Sequence, residues 1–166
     1  MGRQEAAAVD TLNTGWTPRV LRAIGLPALQ LTVDQSVLNK VRERHGLTIA
    51  NLQRLPAMLA DPLMVHRSTT EPNAVLVIDK IGNKTLAAAV HLNRQNQRIY
   101  INAIASIYER SARELRDAIE GKGILYLDQK NAPSTLASLT GVQFPGVAEL
   151  KERNPKIRLR SDFVKQ

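Results

Sequence analysis

A chain of 166 residues accommodates one domain with terminal extensions, and 43% hydrophobic with 4% aromatic content predicts a core built from Leu, Ile, Val and Ala. The absence of cysteine excludes disulfides, thiol catalysis and cysteine-based zinc sites, and no run reaches the roughly 18 apolar residues that a membrane span needs. Lys and Arg number 23 against 15 Asp and Glu, a net charge of +8 that favours polyanions such as nucleic acid, an anionic surface or an acidic protein.

Residues 1–16 read as a flexible, polar arm, and Met1 to Asp10 lacks the apolar core of a signal peptide. Thr17 and Pro18 open a short helix over Arg19 to Ile24 that stops at Gly25. Pro27 then holds Leu26 to Leu31 extended. Thr32 to Arg44 reads as a helix capped by Thr32 or Asp34, with Val33, Val37, Leu38 and Val41 as its apolar stripe and Gly46 as its stop. A second helix is expected from Thr48 to about Leu55, followed by a turn over Ala57 to Leu59.

The pattern then changes to strands: Leu63 to Ser68, Ala74 to Asp79 and Thr85 to Leu92, with a hairpin over Lys80 to Lys84 and a polar tip over Asn93 to Arg98. Ile99 to Tyr108 alternates strictly, with Ile99, Ile101, Ala103, Ala105 and Ile107 on one side and Tyr100, Asn102, Ile104, Ser106 and Tyr108 on the other. Such a strand lays one aliphatic face on a core and offers amide and hydroxyl groups from the other. Ser111 and Glu114 form a capping-box pattern opening a helix that Gly121 ends, and Ile124 to Asp128 reads as a last strand. Lys130 to Gly141 is Ser/Thr-rich, and residues 151–166 form a tail with six basic and two acidic side chains. The expected fold is α+β, with N-terminal helices packed on a four-stranded antiparallel sheet, in a domain spanning residues 17–150.

His45, His66 and His91 are dispersed, without HExxH or paired carboxylates, and neither glycine-rich phosphate loop is present. No metal and no cofactor is therefore expected. Metal-free cleavage of RNA fits the residue types present, because the 2′-hydroxyl is a built-in nucleophile and the protein need supply only a base, an acid and cations. His45, at a helix end beside Lys40 and Arg44, is a candidate for proton transfer, while by its residue chemistry alone a helix C-cap is the better account of it.

Thr17-Pro18, Gly25-Leu26-Pro27, Ser36 to Lys40, His45-Gly46, Leu55-Pro56, Ala60-Asp61-Pro62, Ser68, Ile104 to Tyr108, and Leu125-Tyr126 with Lys130 together resemble the phage MuF C-terminal domain, found also in bacterial polymorphic toxins. That family is similar to the barnase–EndoU–colicin–RelE class of ribonucleases. The resemblance implies a metal-independent endoribonuclease that leaves a 2′,3′-cyclic phosphate on RNA such as tRNA. It implies His45, Ser106, Tyr108 and Lys40 as catalytic residues, and Lys130, Tyr126, Ser68 and Arg67 as substrate contacts, in one groove. It also implies an acidic immunity protein, and delivery of the effector into a target cell's cytoplasm without a membrane anchor. An ADP-ribosyltransferase or deoxyribonuclease (with Glu149 or Glu152 as a late glutamate) and a non-catalytic nucleic-acid module are the competing readings.

Overall fold

A computed structural model describes residues 11–141 and 143–163, so the reading of residues 1–10 as an arm lies outside the described residues. The first strand, β1 (Thr11–Trp16), occupies the rest of the expected arm, and it pairs antiparallel with β2 (Gln30–Asp34). Between them lies α1 (Arg19–Ala23). Helix α2 (Gln35–His45) starts three residues later than the helical stripe predicts. Leu31 and Val33 bury better in a strand flanked on both sides than in a first helical turn. Asp34 takes the cap position without a side-chain cap bond, and Gly46, at φ 62°, ends the helix in the left-handed conformation.

The helix expected up to Leu55 ends earlier, at Leu52, and the turn expected over Ala57 to Leu59 is itself a short helix. Thr48 and Asn51 form a capping box on α3 (Ile49–Leu52), and Pro56 sits in the first turn of α4 (Leu55–Ala60), where its missing N–H costs nothing. Then β3 (Met64–Arg67), β4 (Ala74–Ile81), β5 (Lys84–Asn96) and β6 (Ile99–Glu109) form an antiparallel set in which β3–β4, β4–β5 and β5–β6 are neighbours. Helix α5 (Ala112–Glu120) opens with the Ser111–Glu114 capping box and leads to β7 (Ile124–Leu127). The Ser/Thr-rich stretch is helical as α6 (Ala132–Thr140), with Pro133 in its first turn and Gly141 at φ 70° ending it. The basic tail is in part folded too, as α7 (Val147–Arg153) and β8 (Arg158–Leu159), followed by a 3-10 turn over Arg160–Asp162.

The four-stranded antiparallel sheet expected from the sequence is replaced by an eight-stranded mixed sheet of order β1-β2-β6-β5-β4-β3-β7-β8. Two joins, β2 with β6 and β7 with β8, are parallel. Both faces are partly covered. One packs Val65, Val77, Ala88, Val90, Ile104 and Ile107 against α1, α2 and α4 through Leu21, Val41, Met58 and Leu59. The other packs Met64, Leu76, Ile78 and Ala87 against α5, α6 and α7 through Leu115, Leu136 and Leu150. The α5-side cluster takes its sheet residues from β3, β4, β5, β7 and β8, so its helices cover one half of that face.

Strict alternation fails in β6. A bulge between Ile104 and Ser106 shifts the register against Ala89 and Val90, so Ile104 and Ile107 share the α2 face. Asn102 is fully buried on that same face. Its amide nitrogen donates to Thr17 Oγ1 (2.7 Å) and the Pro27 carbonyl (2.9 Å), and its oxygen accepts from the Asn93 N–H (3.0 Å). It is a structural tie, not part of an offered polar face. Ser106 and Tyr108 stand on the α5 face, opposite Ala89 and Ala87.

Candidate functional site

The bulge decides which side chains meet. His45, at the end of α2, has Nδ1 3.6 Å from Glu109 Oε1, and Glu109 pairs with Leu86 on the α2 side of the sheet. Ser106 and Tyr108 point to the opposite side. Among the described residues no single groove joins them to His45, because the two hydroxyls and the imidazole lie on opposite faces of the sheet. Lys40 is exposed on α2. Tyr126 is buried on the α2 side, edge-on to Phe163 with centroids 6.0 Å apart, and burial pushes its hydroxyl above the usual phenol range. Lys130 is exposed before α6, its backbone N–H donating to Asp128 Oδ1. The Ser68 hydroxyl is engaged in its own loop, accepting from the Thr70 and Glu71 N–H groups.

On the α5 side, the structure assembles a cluster that the sequence does not single out. Arg110 follows β6 directly and turns its guanidinium, 8% exposed, back over the sheet. Its Nη1 donates to the Tyr108 hydroxyl at 3.0 Å and lies 3.6 Å from Glu114 Oε2, while Nη2 stands 3.2 Å from His66 Nε2. Its Nε is buried without a hydrogen-bond partner among the described residues, a cost that purely structural ion pairs usually avoid.

His66 is 6% exposed in β3. Its Nδ1 lies 2.9 Å from the Arg67 carbonyl oxygen, which can only accept, so Nδ1 carries the proton and Nε2 presents a lone pair to Arg110. Burial, opposed in part by the Arg67 bond and reinforced by the Arg110 charge, pulls the imidazole down to about 4. The ring is therefore neutral at pH 7. The Ser111 backbone N–H, as the main cause, lowers the Glu114 carboxyl, keeping an anion beside Arg110.

His66, Arg110 and Glu114 form one wall of an open cavity of about 240 Å³ that Arg67, Thr69, Asp117, Lys122 and Gly123 complete, and Tyr108 stands behind that wall, bonded to Arg110. Of the residues expected at the site, Arg67 lines this cavity, Tyr108 is tied to it through Arg110, and Ser106 lies on the same sheet face as Tyr108. His66 and Arg110 were missed. The one legible signal was Arg110 standing between a strand carrying Tyr108 and the capping box that turns the chain back over that strand. Among the described residues no three His, Asp or Glu side chains converge as metal ligands, and no helix is long and apolar enough to cross a membrane.

These features define a basic α+β domain whose mixed sheet carries an imidazole, a phenol and a guanidinium in one hydrogen-bonded cluster, flanked by Arg67 and Lys122. The chain belongs to the phage MuF C-terminal domain family, whose model matches residues 36–134, from the start of α2 into α6. The matched segment contains the whole His66–Tyr108–Arg110–Glu114 cluster. No curated protein and no solved structure matches the chain.

Proposed function

We propose that this domain is a metal-independent endoribonuclease of toxin type, in the barnase–EndoU–colicin–RelE class, with its centre at Arg110 instead of His45. The observation that carries this reading is one buried guanidinium that holds a neutral imidazole and a phenol and lines a cavity with that imidazole, Arg67 and Lys122. The net charge of +8 supplies attraction for RNA.

In this reading, Arg110 turns its Nη2 from His66 to a phosphate oxygen, and Arg67 and Lys122 offset the charge that builds on phosphorus. The 2′-oxygen attacks phosphorus and its proton passes to His66 Nε2. The bond from phosphorus to the 5′-oxygen breaks, and that oxygen takes the Tyr108 proton, which is free because the phenol oxygen accepts from Arg110. The products are a 2′,3′-cyclic phosphate and a 5′-hydroxyl, and solvent returns a proton to Tyr108 and removes one from His66. An anion bound at Arg110 offsets the Arg110 charge, the smaller of the two causes that lower His66, while burial, the larger, stays in place. An acidic immunity protein fits the same basic surface, and delivery into a target cell's cytoplasm follows from the toxin reading.

A second reading, binding of nucleic acid without cleavage, draws on the burial of His66, which limits its access to a substrate proton. The test is incubation with total RNA in EDTA, with end analysis of the fragments. Cleavage that survives chelation, yields cyclic-phosphate ends, is lost in Arg110→Gln and Tyr108→Phe and persists in His45→Ala supports the nuclease. Retention of RNA without fragments supports the second reading, and consumption of NAD points to ADP-ribosyl transfer.

A further inference from the structure

The helices of the α5 side reach β6 only at Tyr108, and among the described residues no helix of that cluster packs on the rest of β6, on β2 or on β1. The register shows which side chains floor that stretch. Ser106 pairs with Ala89, Ala103 with His91, and Thr32 with Ala103, so these residues share one face. Trp16 pairs with Gln30, which alternates with the core residue Leu31, so Trp16 stands on the open face too. Ala89, Ala103 and His91 are partly exposed and Ser106 is exposed, Thr32 and Ile101 on the same face are buried, and Trp16 is 69% exposed at the edge strand. A floor ending at an exposed indole is an unusual way to finish a sheet, because exposed tryptophan gives up burial that the fold could use. Arg94 brings its guanidinium to the His91 ring (Nη1 to Nδ1, 2.6 Å), which puts a cation along this floor. Asp34 carries the opposing charge at the far end of β2, so a polyanion follows β5 and β6.

The geometry points to a binding platform for single-stranded nucleic acid that runs from the Tyr108–Arg110 cluster along β6 and ends with a base stacked on Trp16. It deepens the proposed function by assigning the substrate an unpaired strand and a path. From Tyr108 to the level of Ile101, beside Gln30 and Trp16, the floor extends roughly 20 Å at about 3.3 Å per residue, room for several nucleotides. Bases rest on small side chains and the phosphates face Arg94 and Arg110. A duplex, with its bases already stacked, gains nothing from Trp16. Trp16 and β1 lie outside the segment that the family model matches.

Trp16 is the single tryptophan, so the protein's own indole emission reports on this contact. The probe is a 2′-O-methyl octanucleotide, which the proposed chemistry does not cut. Titration is expected to quench the emission saturably. Trp16→Ala should weaken binding about 5- to 150-fold, the range for losing one stacked base, while Trp16→Phe should bind within a few-fold of the parent. A duplex of the same sequence should leave the emission unchanged. An octamer that binds without changing the emission, with Trp16→Ala within twofold of the parent, overturns the platform whether or not RNA is cleaved. Quenching without cleavage of ordinary RNA keeps the platform and removes the nuclease.

Discussion

Replacing Asp79 by Asn should turn a flat stability profile into a steep one between pH 6.5 and 4. His66 and Asp79 sit on opposite faces of the sheet, and burial shifts both towards their neutral forms. His66 falls from 6.5 to about 4, and Asp79 rises from 3.8 to about 6, chiefly by burial and also by the charges of Asp61 and Asp128. The folded-state pKa of His66 lies below its unfolded value, so its contribution is complete above pH 6.5 and lost as pH falls to 4. Asp79 is the reverse, its contribution complete below pH 3.8 and lost as pH rises through 6. His66 is nearly fully buried, and its shift corresponds to about 3 kcal/mol. Asp79 is partly open to water, which reduces its share to about 2 kcal/mol. In the parent protein these slopes largely cancel. Asp79→Asn should lose about 3 kcal/mol of unfolding free energy from pH 6.5 to 4, beyond any trend shared by all variants, and His66→Gln should gain about 2 kcal/mol over the same window. Urea titrations at half-unit pH steps measure both, and the difference between variants removes the common contribution of carboxylates such as Glu114 and Asp162. If the two variants run parallel across this window, neither group is held neutral by burial.

Asn102→Ala leaves the Thr17 hydroxyl, the Pro27 carbonyl and the Asn93 N–H without their partner in a dry setting, so it should cost about 3 kcal/mol, read as a lower urea midpoint with an unchanged slope. Arg160 binds Asp61 at 2.9 Å and the buried Asp128 at 3.1 Å; Arg160→Ala should cost about 2 kcal/mol, and Asp61→Ala, on the exposed side of the bridge, less than about 1 kcal/mol. Leu136→Ala empties a fully buried site under α6 and should cost about 2 to 5 kcal/mol by thermal or urea unfolding. His45→Ala removes only a half-exposed contact to Glu109 and should change stability by less than about 1 kcal/mol, with RNA cleavage unaffected.

Local chemistry was legible where a signal acts within a few residues. The Gly46 stop, the Ser111–Glu114 capping box, the Gly82 hairpin turn and the strand character of β4 to β6 depend on backbone conformation and nearest-neighbour hydrogen bonds, which the sequence states directly. β2 was lost because its residues also satisfy a helical stripe, and only flanking by β1 and β6 settles the choice. The parallel joins and β8 were invisible for a related reason: they bring together segments such as Tyr126 and Arg158 whose pairing leaves no mark in either one. What the sequence determined alone was a basic, cysteine-free, aliphatic-core domain with resemblance to the MuF C-terminal family. What tertiary structure decided was the site. One extra residue at the Ala105 bulge reverses which side chains face which layer, and so separates His45 from Tyr108 and hands Tyr108 to Arg110, whose other nitrogen reaches His66. A period-two pattern carries no information about where its own phase breaks, because a bulge is set by the partner strand and the packing on both faces.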